Sequence, residues 1–181
     1  MHDDDSRDTF FFATRLAAPR EAVYQAHTDA DLFGLWWGPE GSETEVLDHD
    51  VAMDGHLVYK MTGPGSPPAF GRFDYVDLEA PARIAFDNGF ANAAGKIIRH
   101  PAHPTWPLLI RNTLSFEADG EHATVLSLRA VPVDATPTER RSFRDARGAL
   151  TQGFSSTYRR LVALLAATHP PPDPSEEGDS E

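Results

Sequence analysis

A chain of 181 residues, 40% hydrophobic and 10% aromatic, is long enough to bury one core without help from a metal or a disulfide. It contains no cysteine, which excludes disulfides, thiolate metal sites and cysteine nucleophiles. The formal net charge of -12 argues against nucleic acid and anionic membranes as partners, because both need a positive protein surface.

The acidic residues concentrate at the two ends of the chain. Residues 1–7 contain three Asp, and residues 169–181 combine five acidic residues with a run of prolines and no base. We therefore expect residues 1–8 and 169–181 to be disordered, leaving one domain at 9–168, because apolar burial cannot offset the ordering entropy there. The acidic start and the lack of a long apolar run predict a cytoplasmic protein without membrane insertion.

The first predicted elements are one strand and two short helices. Residues 9–16 alternate apolar side chains on one face, which is typical of a strand. Pro19 opens a short helix to about residue 26, since proline fits the first helical turn. Asp29 predicts the N-cap of a second helix that ends near Trp36 and is stopped by a Gly-Pro pair.

The middle of the chain, from residue 43 to 131, predicts a succession of strands. Asp54-Gly55 and Asp119-Gly120 are hairpin signals. Short strands joined by tight turns indicate an antiparallel meander and not a parallel sheet. The predicted strands cover residues 46–53, 57–61, 71–78, 83–86, 108–116 and 124–131.

The last predicted element is a long helix. Thr136, Pro137 and Glu139 form a capping box with proline at the first helical position. Apolar residues then recur at helical spacing, and a helix from 137 to about 167 would be roughly 45 Å long. A helix of that length needs a broad surface, and the sheet is the only candidate.

Two glycines fall inside this predicted helix. Gly148 and Gly153 each cost about 1 kcal/mol relative to alanine. They are either tolerated, with at most a mild bend, or they let the helix approach the sheet closely or leave room for a ligand.

The order of elements predicts an α+β protein with a curved antiparallel sheet of six to seven strands around a long C-terminal helix, and two short helices after the first strand. This order resembles the START-like (SRPBCC, polyketide cyclase-like) superfamily, whose fold is called helix-grip. Local sequences resemble the activator of heat-shock-protein-90 ATPase homologue family within it. They are RLAAPREAVYQA at 15–26, DLFGLWWGP at 31–39, GRFDYV at 71–76 with APARI at 80–84, and QGF at 152–154 with Leu161.

The resemblance covers about residues 9–167 and implies the fold, but it leaves the function open. The family has no shared catalytic residues to carry over. Relatives with known roles bind lipids, hormones or polyketides, or assist a chaperone. This chain departs from the family in having Asp54-Gly55 where two glycines are common, and in a long segment at 88–107.

The sequence offers little support for a metal or a nucleophile. His100 and His103 share a Pro-rich loop, and His49 lies between two Asp residues. Neighbouring residues of a strand point to opposite faces, so Asp48 and His49 cannot converge on one ion. The chain has neither a G-x-S-x-G elbow nor a phosphate-binding glycine loop. We therefore predict no metal and no cofactor, and we lean away from an enzyme.

The aromatic residues give the strongest functional signal, although each one alone is more often a core residue. We expect Tyr59 and Tyr75 to be polar anchors in an apolar pocket, the tryptophans to rim its mouth, and the loop at 88–107 to form a lid. Arg111 would be an inward polar group, with the outer sheet face as the favoured alternative because a buried charge is costly. The candidate ligand-binding residues are Trp36, Trp37, Tyr59, Met61, Phe73, Tyr75, Phe86, Phe90, Trp106, Arg111, Phe154 and Tyr158.

Three functions follow as hypotheses. The first is binding of a small hydrophobic or amphipathic ligand in an internal cavity. The second is a cyclase, aromatase or hydrolase that uses the same cavity. The third is a chaperone-associated or stress-related interaction protein, suggested by the family resemblance alone. A homodimer is a further expectation to test.

Overall fold

A computed structural model describes residues 7–170, so the predicted disorder at 1–6 and 171–181 lies outside the described residues. The strands are β1 (Phe10–Leu16), β2 (Glu43–Asp50), β3 (His56–Gly63), β4 (Ser66–Glu79), β5 (Arg83–Ala91), β6 (Leu109–Ala118) and β7 (Thr124–Val133). The helices are α1 (Arg20–Thr28), α2 (Ala30–Trp36), α3 (Pro137–Asp145) and α4 (Arg147–Thr168). No helix in this part of the chain is both long and apolar enough to cross a bilayer.

The seven strands of residues 7–170 form one antiparallel sheet in the order β1-β7-β6-β5-β4-β3-β2. Consecutive strands pair from β2 to β7, as a meander requires, and β1 adds to the far edge beside β7. Register shifts in β2, β3 and β4 bend the sheet. Together with the two short helices after β1 and the long C-terminal helix, this confirms the predicted α+β helix-grip fold.

β4 and β5 extend furthest beyond the predicted strands. β4 begins at Ser66, inside the segment predicted as a Gly/Pro loop, because Pro67 and Pro68 fall at the register shift between Met61 and Gly63, where no regular ladder bond is required. β5 continues to Ala91, inside the segment predicted as a lid loop. The irregular part of that connection is therefore shorter than predicted.

The core lies between the inner face of the sheet and α1, α2 and α4. Alternate residues of β1 follow the predicted pattern, with Phe10 and Leu16 buried and Phe11 exposed. Phe10 stacks on Phe154 of α4 at a ring separation of 5.7 Å. This contact fixes the N-terminal half of α4 against the edge strand.

The prediction of a single long helix for residues 137–167 is wrong in one respect, because the helix is interrupted at Ala146. The N–H of Ala146 bonds back to the carbonyls at the end of α3, and Leu150 then begins a new series of bonds with the carbonyl of Ala146. Contacts from the start of the chain hold the break. Arg144 pairs with Asp8 at 2.6 Å, and Arg147 donates to the carbonyl of Thr9 at 3.0 Å.

Asp8 lies inside the segment 1–8 predicted to be disordered, yet it is buried in the structure. Its side chain is 3% exposed and lies between Arg144 and Arg140, at 2.6 and 3.6 Å. The sequence does not reveal this contact, because the partners are more than 130 residues apart. The ordered domain therefore begins before residue 9.

Candidate functional site

A cavity of about 650 Å³ lies between the start of α4, the end of α3, the connection from β5 to β6, and the inner face of β3. Small-molecule sites in proteins usually occupy about 300–1,000 Å³. Apolar and aromatic side chains provide most of its surface. Its size and composition therefore make it the candidate functional site.

One face of the α3–α4 segment forms the helical wall of the cavity. The lining residues recur at three- and four-residue intervals, as one helix face requires. They are Ala146, Ala149, Leu150, Gly153, Phe154 and Thr157. Three of these six residues carry at most a methyl group, which leaves space between the helix and the sheet.

The two glycines of α4 have different surroundings. Gly153 lines the cavity and Gly148 does not. A Cβ added at either position would meet nothing within 4 Å, so neither glycine serves a close approach of the helix to the sheet. Of the predicted explanations, room beside a cavity fits Gly153, and a tolerated glycine fits Gly148.

Tyr59 and Met61 of β3, Phe90 of β5 and Trp37 after α2 form the aromatic wall. Gly71 of β4 makes this arrangement possible, because a Cβ there would overlap the ring of Tyr59. The tyrosine ring can therefore lie across the neighbouring strand. Burial raises the pKa of the Tyr59 hydroxyl, so it stays protonated at neutral pH.

Trp37 presents a polar atom in this otherwise apolar wall. Its ring stacks on Phe33 at 5.1 Å. Its indole Nε1 is buried and neighbours the hydroxyl of Tyr59. Together, the two groups form the polar part of the wall.

The connection from β5 to β6 closes the third side of the cavity with His100, His103, Thr105 and Trp106. The Nδ1 atom of His100 accepts the backbone N–H of His103 at 3.1 Å, and its ring lies 4.3 Å from that of Phe90. Burial and the neighbouring His103 lower the pKa of His100, so the neutral ring predominates at neutral pH. This wall is polar at its rim and uncharged at His100.

Three contacts hold the connection against α3. Ser142 donates to Thr105 at 2.9 Å, and the Trp106 ring lies 5.7 Å from that of Phe143. Arg99 donates to Glu139 at 2.5 Å. The lid expected from the sequence is thus joined to α3 in this structure.

Glu139 is the most strongly perturbed carboxylate of this region. Its side chain is 8% exposed. The backbone N–H of Thr136 and the guanidinium of Arg99 stabilise the charged form and lower its pKa to about 2. The predicted capping box is confirmed, and its glutamate also holds the cavity wall.

The structure brings half of the predicted ligand-binding residues to the cavity. These are Trp37, Tyr59, Met61, Phe90, Trp106 and Phe154. The other half lie elsewhere, namely Trp36, Phe73, Tyr75, Phe86, Tyr158 and Arg111.

Trp36 does not rim the mouth of the cavity, since it is fully buried and its indole N–H donates to the carbonyl of Ala26 at 2.8 Å. Phe73 and Phe86 stack at 4.1 Å and, with Tyr75, border a separate void of only about 10 Å³. Tyr158 is 3% exposed and packs in the core. Tyr75 is therefore not a polar anchor of the main cavity.

Arg111 lies on the outer face of the sheet, the favoured alternative of the sequence analysis. It makes two bonds to Asp87, at 2.5 and 2.9 Å, from the neighbouring strand. The inward residues of β6 are its alternate neighbours, such as Asn112 and Leu114, which are buried. Strand alternation points the side chain of Arg111 to solvent, so this residue places no charge inside the sheet.

The polar rim and the alanines of the helical wall were not predicted, whereas room for a ligand at Gly153 was one of the predicted explanations. His100 and His103 were treated only as metal-ligand or surface candidates, and Ser142 and Asp145 were not considered. The spacing of Ala146, Ala149 and Gly153 was the available signal for the helical wall. No sequence signal placed the histidines opposite that wall.

The histidine-rich segments do not gather into a metal site. Asp48 bonds to His56 at 2.8 Å, whereas His49 bonds to the carbonyl of Thr28 at 2.9 Å, so the neighbours diverge. Among the described residues, no three His, Asp or Glu side chains are arranged to hold an ion.

Comparison with known proteins gives a family and a set of similar folds. The sequence profile described as Activator of Hsp90 ATPase homolog 1-like protein matches residues 17–166. No curated protein matches the chain.

Solved structures from bacteria share the fold. Protein Ms6760 from Mycobacterium smegmatis is 26% identical, with 93% of this chain and 96% of that chain covered and a TM-score of 0.73. A protein from Arthrobacter aurescens is 21% identical, with coverage of 99% and 96% and a TM-score of 0.75. The AHSA1 protein from Silicibacter pomeroyi is 18% identical, with coverage of 89% and 99% and a TM-score of 0.67.

Proposed function

The chain belongs to the Activator of Hsp90 ATPase homolog 1-like family, and we propose that it binds a small apolar or amphipathic molecule in the cavity between α4 and the sheet. The observation that carries this proposal is the cavity of about 650 Å³ with its mainly apolar walls. A cleft of that size falls within the range of about 300–1,000 Å³ that small-molecule sites occupy.

The details of the walls support a binding site. Small residues line the helix where larger ones would fill the space, and Gly71 leaves room for the Tyr59 ring. The indole N–H of Trp37 and the hydroxyl of Tyr59 are the neighbouring polar groups of the aromatic wall. Apolar walls with a few polar groups are the usual composition of a small-molecule pocket.

The same walls favour binding over catalysis. A hydroxyl nucleophile needs a hydrogen bond to a base such as histidine. Ser142 donates instead to Thr105, and the Nδ1 atom of His100 is occupied by backbone N–H groups. The described cavity residues therefore contain no paired nucleophile and base.

Two glycine substitutions test the proposal. Gly153→Phe would project a ring from the helical wall into the cavity, whereas Gly148→Phe adds the same ring to the same helix away from it. Native mass spectrometry of the purified protein and thermal unfolding with neutral aromatic and aliphatic compounds would measure binding. A ligand that binds only the folded protein raises its unfolding temperature.

We expect ligand stabilisation in the wild type and in Gly148→Phe, and little or none in Gly153→Phe. Equal stabilisation of both variants would place binding outside this cavity. No bound mass and no thermal shift across a broad library would contradict the proposal.

The remaining expectations stay predictions from the sequence. A cytoplasmic location would be tested by cell fractionation, and a homodimer by sedimentation of the purified protein. A chaperone-associated role has its support in the family description. Affinity capture without a chaperone among the bound proteins would count against that role.

A further inference from the structure

The ionisable side chains around the cavity are unevenly distributed. Among the described lining residues, Asp145 is the only Asp or Glu, and no Lys or Arg is present. A hydrophobic carboxylate would therefore enter a cavity that offers its charge no cationic partner. An uncompensated charge in an apolar site is costly.

The Asp145 carboxylate is available to a ligand. Within residues 7–170 it forms no hydrogen bond and no ion pair, whereas the nearby Arg144 is engaged by Asp8 on the other side of the helix break. Arg141, one turn earlier on α3, makes no ion pair with it and does not line the cavity. The carboxylate of Asp145 is therefore unpaired within the described part of the chain.

Two other sources of positive charge near the cavity, Arg160 and the N-terminal end of α4, do not offset the negative charge of Asp145. Arg160 lies behind Trp37 and Gly38, where its guanidinium donates to their carbonyls and to that of Leu35. It is not a lining residue. The C-terminal end of α3 and the N-terminal end of α4 meet at Ala146, so the opposite ends of their dipoles largely offset each other.

The aromatic wall is also suited to a cation. Trp37, Tyr59, Phe90 and Trp106 border the same space as Asp145. The faces of such rings attract ammonium groups that lie within about 6 Å. A chain with net charge -12 further favours the approach of cations over anions.

We propose that the cavity selects a hydrophobic amine, with the ammonium group near Asp145 and the apolar part against the aromatic wall, over a carboxylate of the same size. This inference rests on the proposed function and specifies its ligand class. Asp145 is exposed, so its contribution is that of a screened ion pair. Such a pair favours the amine over a neutral analogue by up to about fivefold.

Three matched probes test the charge preference. Phenylbutylamine, phenylbutanol and phenylbutyrate share the same apolar part and differ in the terminal group. Titration near neutral pH, followed by calorimetry and by tryptophan fluorescence, would give three dissociation constants. We expect the amine to bind most tightly and the carboxylate least.

Two variants assign the preference to Asp145. Asp145→Asn should bring the dissociation constants of the amine and the alcohol to the same value. Asp134→Asn removes one negative charge from an exposed position outside the cavity and should leave the advantage intact. An equal effect of both variants would trace the preference to net charge and overturn the assignment.

The outcomes separate this inference from the proposed function. If the alcohol binds and the amine binds no more tightly, or if the carboxylate binds best, the inference is overturned while the cavity remains a binding site. If none of the three probes binds, the inference is overturned; the proposed function is overturned with it if the broad library also gives no bound mass and no thermal shift.

Discussion

Because His27 is buried, we expect the free energy of unfolding to fall in mild acid. Its ring is buried among Trp36 and Phe116, at ring separations of 4.7 and 5.2 Å. Its Nδ1 atom donates to the carbonyl of Val23 at 2.7 Å, which leaves Nε2 to accept from the Tyr158 hydroxyl at 3.3 Å. Burial lowers its pKa from 6.5 to about 4, so the folded protein keeps the ring neutral.

The size and sign of the effect follow from proton linkage. Below about pH 6.5 the unfolded chain protonates this imidazole, whereas the folded chain does so only near pH 4. Unfolding therefore takes up a proton in this window, and the free energy of unfolding falls as the pH falls. Between about pH 7.5 and 5, His27 alone accounts for a loss of about 2 kcal/mol.

Urea unfolding at several pH values would measure the effect. His27→Gln and His27→Phe should each flatten the pH dependence of the free energy of unfolding between about pH 6.5 and 4, whatever their stability at neutral pH. His122→Gln, at an exposed histidine, is the matched control and should keep the wild-type slope. An unchanged slope in both His27 variants would refute the neutral buried imidazole.

Three further predictions concern the supports of the site. Glu139→Gln should lower the free energy of unfolding by about 1–2 kcal/mol at neutral pH. The pKa of Glu139 in the folded protein is about 2, so the difference between variant and wild type should disappear as the pH falls from 4.5 towards 2. Urea titrations at several pH values would measure it. Gly71→Ala should cost about 1–3 kcal/mol, because the added methyl group overlaps Tyr59, and should weaken ligand binding in calorimetry. Arg111→Met should change the free energy of unfolding by less than about 1 kcal/mol and leave ligand binding intact, because its pair with Asp87 is partly exposed; a large loss of binding would contradict its place on the outer face.

Much of the fold follows from local pattern, since hairpin glycines, alternating strands and the capping box each have a local cause. The break at Ala146 does not. It depends on contacts of Asp8 and the Thr9 carbonyl with Arg144 and Arg147, which are distant in sequence. Helical periodicity carries no information about such a partner.

The site shows the same limit at the level of single residues. Trp36 and Trp37 are neighbours of the same type, yet one is sealed in the core and the other borders the cavity. Trp36 is the last residue of α2, whereas Trp37 has an extended backbone. The position of the helix end therefore determines which of the two side chains is buried and which borders the cavity. Aromatic composition nominates both residues, but it does not show where the helix ends and therefore cannot separate them.

The buried carboxylate of Asp8 has a practical consequence for protein engineering. A shortened version that starts at residue 9 would look harmless from the sequence, yet it would leave Arg140 and Arg144 without their shared counter-ion. The two arginines lie on α3 just before Asp145 and Ala146, which line the cavity. Removing Asp8 would therefore weaken the contacts that hold the end of α3 beside the cavity, so a shortened version should retain Asp8.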